Sequence, residues 1–217
     1  GVINKSPHTA LDKKYKKKFI FLGRLSPEKN LFMLVKVFNK LPHLSLTIVG
    51  DGPQKTALQK ISMSNIVYAD YVDNKMLGKV FDRNDVLILP SLHEAWGLVV
   101  EEALYFGLTV IVSKKCGVCE LIQDGYNGII IDPLNKNSML NAVKNINSDK
   151  FSHLIENVNK FSIQQKDKIQ LDAYESLLVP YGSKEPLQTG GISLKGPKKT
   201  SWAEKPLISI VTVVYKD

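Results

Sequence analysis

Cysteine is nearly absent from this chain, with two residues in 217, and two cysteines cannot build a disulfide framework. Arginine is equally rare: Arg24 and Arg83 stand against 27 lysines. No apolar run reaches the roughly 18 residues that a membrane-spanning helix needs. No charged start leads into an apolar signal core, which leaves secretion without support. No internal repeat is visible. What remains is ordinary globular composition, 44% apolar, 23% charged and 8% aromatic, which excludes disorder for the chain as a whole. The length allows one to two domains at roughly 150 residues each.

The charge is placed unevenly. Residues 1–40 hold ten basic and two acidic residues, a net of +8 that equals the whole chain's excess. The run Lys13–Lys18 reads first as a solvated surface segment. A contact with an anionic membrane surface or a lipid-linked acceptor is the second reading. A nucleic-acid arm is the third, and nucleic acid is not the expected partner.

Short apolar runs alternate with helical patterns. Strands are expected at Phe19–Leu22, Leu44–Val49, Asn65–Ala69, Val86–Leu89, Leu108–Val112 and Gly128–Ile131. Leu31, Leu34, Val35 and Phe38 fall on one helical face, and Ser26-Pro27 reads as the start signal of that helix. Further helices are expected over 54–62, 75–81 and 98–106, with two or three more in 137–178. Strand–helix alternation of this kind implies an α/β fold, a Rossmann-like parallel sheet with helices on both faces. Such sheets bind ligands beyond the carboxyl ends of their strands, so residues directly after a strand are the candidates for chemistry.

Residues 180–206 carry four Pro and four Gly in 27 positions, the composition of a linker or an extended strap. Residues 207–217 open on a strongly β-prone run, Leu207–Tyr215. One strand is not a domain, so the run is expected either at the edge of the preceding sheet or as the first strand of a truncated unit.

Two loops stand out. Gly23-Arg24-Leu25-Ser26-Pro27-Glu28-Lys29-Asn30 follows the first strand. Gly23 allows close backbone approach, and Arg24 with Lys29 could clamp an anion such as a diphosphate. The structural alternative pairs Arg24 with Glu28 and leaves Lys29 in solvent. Pro90-Ser91-Leu92-His93-Glu94-Ala95-Trp96-Gly97-Leu98 follows the fourth strand. Gly97 and Leu98 open a helix whose free N–H groups favour phosphate. Leu98 and Glu102 are four apart and share a face. Two carboxylates, Glu94 and Glu102, flanking a phosphate-binding turn suit the hydroxyls of a nucleotide sugar.

These residues carry a resemblance. Gly1-Val2, Phe21-Leu22-Gly23-Arg24-Leu25-Ser26-Pro27-Glu28-Lys29-Asn30-Leu31 and Ile48-Val49-Gly50-Asp51-Gly52-Pro53 occur in order. They are followed by the 90–97 loop, the Glu94/Glu102 pair with seven residues between, and the segments 107–113 and 120–128. Together they resemble the C-terminal, nucleotide-sugar-binding domain of glycosyltransferase family 4 (glycosyl transferases group 1), one half of the GT-B fold, with that domain at residues 1–179. The resemblance implies retaining transfer from a nucleotide diphosphate sugar, UDP- or GDP-linked, to a saccharide or lipid-linked acceptor. The expected setting is bacterial surface polysaccharide synthesis, with neither a metal nor another cofactor. By it Arg24 and Lys29 bind the diphosphate, and Gly97 and Leu98 offer it amides. Glu94 contacts the donor sugar, Glu102 the ribose, and Tyr71 and Val72 lie at the base, mostly through backbone. Its cell setting is cytoplasmic or peripheral at the inner face of the membrane. Leu207–Tyr215 resembles the opening strand of a family 2, GT-A glycosyltransferase, which would make the chain part of a bifunctional enzyme.

The sequence departs from the family in two ways. Asp70 stands where the family often has glycine. The family's acceptor-binding N-terminal domain, with its catalytic histidine, has no counterpart, so the chain is expected to bind donor without transferring it alone. His93 reads as a loop or packing residue. Trp96 either packs on the donor or closes its loop against the core. Cys116-Gly117-Val118-Cys119 could open a helix after a strand, a thioredoxin-like context, but Gly117 and Glu120 fall on the glycosyltransferase pattern. Gly50-Asp51-Gly52 lacks the rest of a dinucleotide fingerprint, since Lys55 stands at its last position, and reads as a turn, as does Tyr126-Asn127-Gly128. Asp70 and Asp73 read as solvated loop acids. The alternatives from other classes are a non-catalytic nucleotide-sugar-binding module and a nucleotide-sugar epimerase of the same fold.

Overall fold

A computed structural model of the chain describes residues 13–160. The readings of 1–12, of any helix beyond 160, of the 180–206 linker and of the 207–217 strand lie outside the described residues. Six strands form one parallel sheet: β1 (Lys18–Leu22), β2 (Ser45–Val49), β3 (Ile66–Ala69), β4 (Val86–Leu89), β5 (Thr109–Ser113) and β6 (Ile129–Ile131). All six expected strands are present, within a residue of their expected ends. The helices are α1 (Leu31–Phe38), α2 (Lys55–Ile61), α3 (Leu77–Asp82), α4 (Leu98–Tyr105), α5 (Lys136–Lys144) and α6 (Ser148–Lys160).

The strand order is β3-β2-β1-β4-β5-β6. The chain winds outward from β1 to β3, then returns to β4 beside β1 and winds the other way. Right-handed crossovers therefore put α1 and α2 on one face and α4 on the other. In agreement, α1 packs on α2 and α5, while β5 packs on α4 and α6. β4 and β5 are buried along their whole length, which is why they read as continuous apolar runs. Phe19, Phe21, Phe38, Phe81 and Phe151 are fully buried, each contributing about 1.5–3 kcal/mol. Phe19 meets Phe38 edge-on at 5.2 Å.

One expectation is corrected in detail. Ser26-Pro27 does not begin α1; it opens a single 3-10 turn, Pro27–Lys29. Asn30 then takes a left-handed conformation (φ 58°), and α1 starts behind it at Leu31. Pro27 suits the first position of either helix type, so the signal was right about a turn and silent about the break. The Gly50-Asp51-Gly52 turn packs against the turn after β1: a Cβ on Gly50 (φ 132°) would lie 2.1 Å from the Gly23 carbonyl oxygen.

At the opposite edge of the sheet, Asp85 is fully buried. Its Oδ2 accepts the backbone N–H groups of Lys16 at 2.8 Å and Lys18 at 2.9 Å, and its own N–H donates to the Lys18 carbonyl. The carboxylate fixes the chain's approach to β1. Tyr15 stacks on Phe151 at 5.0 Å beside this clamp. Burial, with the Asp85 charge adding, holds the Tyr15 phenol above its usual range. Two hydrogen bonds to a buried carboxylate are worth about 1.5–3 kcal/mol each. Asp85→Ala is therefore expected to destabilise the fold by about 3 kcal/mol in urea unfolding, and a loss below about 1 kcal/mol would rule the clamp out.

Candidate functional site

The reversal of winding falls between β1 and β4, which are neighbours although 63 residues separate their ends in sequence. Crossover helices cannot cover the carboxyl edge there, so a crevice opens between the two strand ends. The β1 side carries Gly23, Arg24 and the Pro27–Lys29 turn; the β4 side carries the loop 90–97 and the start of α4. Both candidate loops thus face one crevice.

Each lip is held by backbone. Asn30 Nδ2 donates to the Pro133 carbonyl at 2.8 Å, tying the β1 turn to the loop after β6. Leu92 N–H donates to the Glu28 carbonyl at 2.7 Å, joining the two lips. Glu94 N–H donates to the Lys115 carbonyl, the Glu94 carbonyl accepts from Gly117, and the Trp96 carbonyl accepts from Val118. The 90–97 loop is therefore stitched to the β1 turn on one side and to the 115–118 segment on the other.

The side chains meet across the gap. Lys29 Nζ pairs with Glu94 Oε2, with the two side chains only 16% and 21% exposed. Lys29 is thus neither in solvent nor unpartnered, contrary to the alternative reading. Arg24 is exposed and makes no ion pair within 4 Å among the described residues; the Glu28 carboxylate is taken up by the Ser26 hydroxyl. That hydrogen bond, more than the charges of Lys29 and Arg24, holds Glu28 below the usual carboxylate range.

Gly97 is the N-cap of α4 at φ 110°. A Cβ there would crowd Leu89 at 3.0 Å and Val118 at 3.1 Å, and the positive φ would strain any other residue. No side chain caps α4, and the first amides of a helix have no intrahelical acceptor. Leu98 is exposed, and Trp96 is half-buried against the core. Glu102 is half-buried on α4; burial, with Glu101 beside it, raises its carboxyl above the ordinary range. Glu101 is half-buried too. His93 is exposed.

Tyr71 and Val72 stand apart, in the loop after β3 at the sheet's edge. With Asp73, Met76, Lys79, Val80 and Arg83 they line an open cleft of about 330 Å³. Three strand intervals separate β3 from β4, which places the two ends about 14 Å apart. Asp70, the departure from the family pattern, is exposed and pairs with Lys55 at 2.7 Å. Lys55 also lies 3.8 Å from Asp51, so it ties the β3 loop to the β2 turn. Asp73 caps the short 3-10 turn that follows it.

Cys116 is buried behind Glu94, and burial, with the Glu94 charge adding, pushes its thiol up to about 11. Instead of an α-helix, Gly117–Leu121 forms a 3-10 turn. A protonated, buried thiol at the head of a single turn lacks what a redox cysteine needs. Among the described residues no group of three His, Cys, Asp or Glu side chains is arranged to hold a metal, and no helix is long and apolar enough to cross a membrane.

The pairs Lys29–Glu94 and Lys55–Asp70 were not read from sequence. They join residues 65 and 15 positions apart, and no periodicity links such distances. Asn30 did carry a signal, since asparagine tolerates the left-handed region.

The family model for glycosyl transferases group 1 matches residues 4–168. An uncharacterized 41.2 kDa protein in the cps region of Klebsiella pneumoniae is 35% identical over 121 residues, 55% of this chain and 34% of that protein. The sulfoquinovosyl transferase SQD2 of Arabidopsis thaliana is 34% identical over 118 residues, 52% of this chain and 23% of the relative. A lipopolysaccharide 1,2-N-acetylglucosaminetransferase of Salmonella typhimurium is 27% identical over 154 residues, 63% and 40% of the two chains. The matched stretch thus spans less than half of each relative. Anabaena Alr3699/HepE, solved in complex with UDP-glucose, superposes with a TM-score of 0.64 at 20% identity, over 78% of this chain and 50% of that one. The fold is accordingly the Rossmann-like half of a GT-B glycosyltransferase.

The raised Glu102 carboxyl makes a prediction. A carboxyl whose pKa is raised on folding binds its proton more tightly in the native state, so stability falls as pH rises through its titration. Glu102→Gln is expected to raise the melting temperature at pH 7, and the gain should fade below the ordinary glutamate range. An equal gain at pH 4 and pH 7 would contradict this.

Proposed function

The chain belongs to the glycosyl transferases group 1 family, and from that premise we propose that it is the donor-binding half of a retaining family 4 glycosyltransferase. The donor is a nucleotide diphosphate sugar, and the acceptor is a saccharide or lipid-linked saccharide of a bacterial surface polysaccharide. The observation that carries the reading is the crevice between β1 and β4, where one lip presents Arg24 and Lys29 and the other presents Glu94 and the uncapped start of α4.

In this reading the diphosphate lies across the crevice. Arg24 and Lys29 neutralise it from one side, and the amides of Gly97 and Leu98 donate to it from the other. Breaking the bond between sugar and phosphate leaves negative charge on the departing diphosphate. Fixed cations and N–H groups stabilise that charge without having to reorganise, and no metal is called on. Glu94 accepts from donor-sugar hydroxyls, and Trp96 closes the loop beneath it. Glu102 accepts from the ribose. The base reaches toward Tyr71 and Val72, about 14 Å away by strand count, along a path in which Gly23 lets the ligand approach backbone.

A thermal-shift panel of UDP, GDP and ADP sugars is expected to give stabilisation with one base class, since a ligand that binds only the folded state raises its melting temperature. With that nucleotide, Arg24→Ala and Glu102→Ala are each expected to weaken binding roughly tenfold or more in calorimetry, the worth of one hydrogen bond to a charged group. Unchanged affinity in both variants would refute the site. Sugar isomerisation without acceptor would convert the reading to an epimerase.

A further inference from the structure

The Lys29–Glu94 pair has a property that the donor-binding reading does not by itself require. Each of its two backbones has its own anchor besides the bond from Leu92 to Glu28 that joins the lips. Lys29 sits in the turn closed by its N–H to the Ser26 carbonyl at 3.0 Å, and Glu94 is hydrogen-bonded through both its N–H and its carbonyl to the 115–117 segment. The side chains meet across the crevice beside the backbone bond from Leu92 to Glu28, and both are mostly shielded from water. Among the described residues neither has another ion pair within 4 Å: Arg24 is exposed, the Glu28 carboxylate is held by Ser26, and burial pushes the Cys116 thiol behind Glu94 up to about 11. Each partner therefore depends on the other for its compensation.

A half-buried ion pair is costly to break when one member is left alone, and cheap to break when both find new partners. The two forms of the nucleotide differ in this respect. An intact sugar nucleotide supplies phosphate oxygens to Lys29 and hydroxyl groups to Glu94. A bare nucleoside diphosphate supplies phosphate oxygens only. It takes Lys29 away and leaves Glu94 shielded, unpaired and close to added negative charge.

We propose that the Lys29–Glu94 pair is a latch that discriminates the intact sugar nucleotide from the bare nucleoside diphosphate left after transfer. Resting on the donor-binding reading, the latch adds a direction to it. The closed pair opposes nucleotides that lack a sugar, and after transfer Glu94 recaptures Lys29 and expels the diphosphate. Specificity here is a difference between two affinities, set by a penalty on the unwanted ligand as much as by contacts to the wanted one.

The test is calorimetry on the wild-type chain and on Glu94→Gln, with UDP and UDP-glucose and with GDP and GDP-mannose as probe pairs. Removing the charge frees Lys29 and removes the repulsion. The bare diphosphate should then bind roughly three- to tenfold tighter, while the sugar nucleotide binds roughly tenfold weaker. Opposite signs support the latch. Changes of the same sign, or a bare diphosphate that does not tighten, overturn it while leaving the donor site standing. A wild-type chain that binds neither probe pair overturns both. Glu94→Ala removes the same charge by another route and must give the same two signs, which guards against a variant that is merely misfolded.

Discussion

The meeting of the two candidate loops depends on one topological fact: β1 and β4 are adjacent but their crossovers run in opposite directions. Were the strands laid down in simple succession, helices would cover the carboxyl edge and no crevice would open. The winding order instead sets two loops face to face, and each loop inherits the character of its own sequence. The β1 loop is cationic and the β4 loop is acidic, so an ion pair forms across the gap as a consequence of topology rather than of local sequence.

Placement alone would not make the crevice useful, because loops are ordinarily mobile. Here the 90–97 loop gives up its freedom to backbone hydrogen bonds on both flanks, to Glu28 on one side and to Lys115, Gly117 and Val118 on the other. Gly97 contributes through its backbone: at φ 110° a side chain would be strained, and its Cβ would crowd Leu89 and Val118. The entropy of ordering is met during folding, which is the condition for electrostatic stabilisation to act without reorganisation. The same stitching explains why Cys116 is a structural residue. It forms an isolated bridge with Glu94, and its thiol fills the space behind the loop.

The fold was legible in the sequence to within a residue or so at each strand, because strands buried on both faces must be short continuous apolar runs bounded by turn residues. The candidate loops were legible for a related reason, since Gly23, Gly97 and the charged residues beside them interrupt those runs at strand ends. What could not be read was partnership. Spacing allowed Arg24 to pair with Glu28 and left Lys29 in solvent, and the deciding factor was that Ser26 occupies Glu28 while strand order delivers Glu94 to Lys29. The break between the 3-10 turn and α1 was hidden likewise, because Pro27 fits the start of either. Asp70, the departure from the family pattern, is paired by Lys55 at the start of α2, a partner that spacing does not reveal.

The uneven charge of the first 40 residues finds its explanation in the same geometry. A single basic patch would invite a polyanionic surface, yet two groups of basic residues stand at opposite ends of β1, with Lys36 and Lys40 further on. Lys14, Lys16, Lys17 and Lys18 lie exposed before and at the start of the strand, on a backbone gripped by Asp85, whereas Arg24 and Lys29 lie after it. Five residues of strand at roughly 3.3 Å each separate the groups by about 16 Å, beyond a Debye length of about 8 Å at physiological salt. The two clusters therefore act as separate electrostatic objects. The one after β1 faces the Glu94 carboxylate across the crevice, so part of its charge is already compensated within the fold.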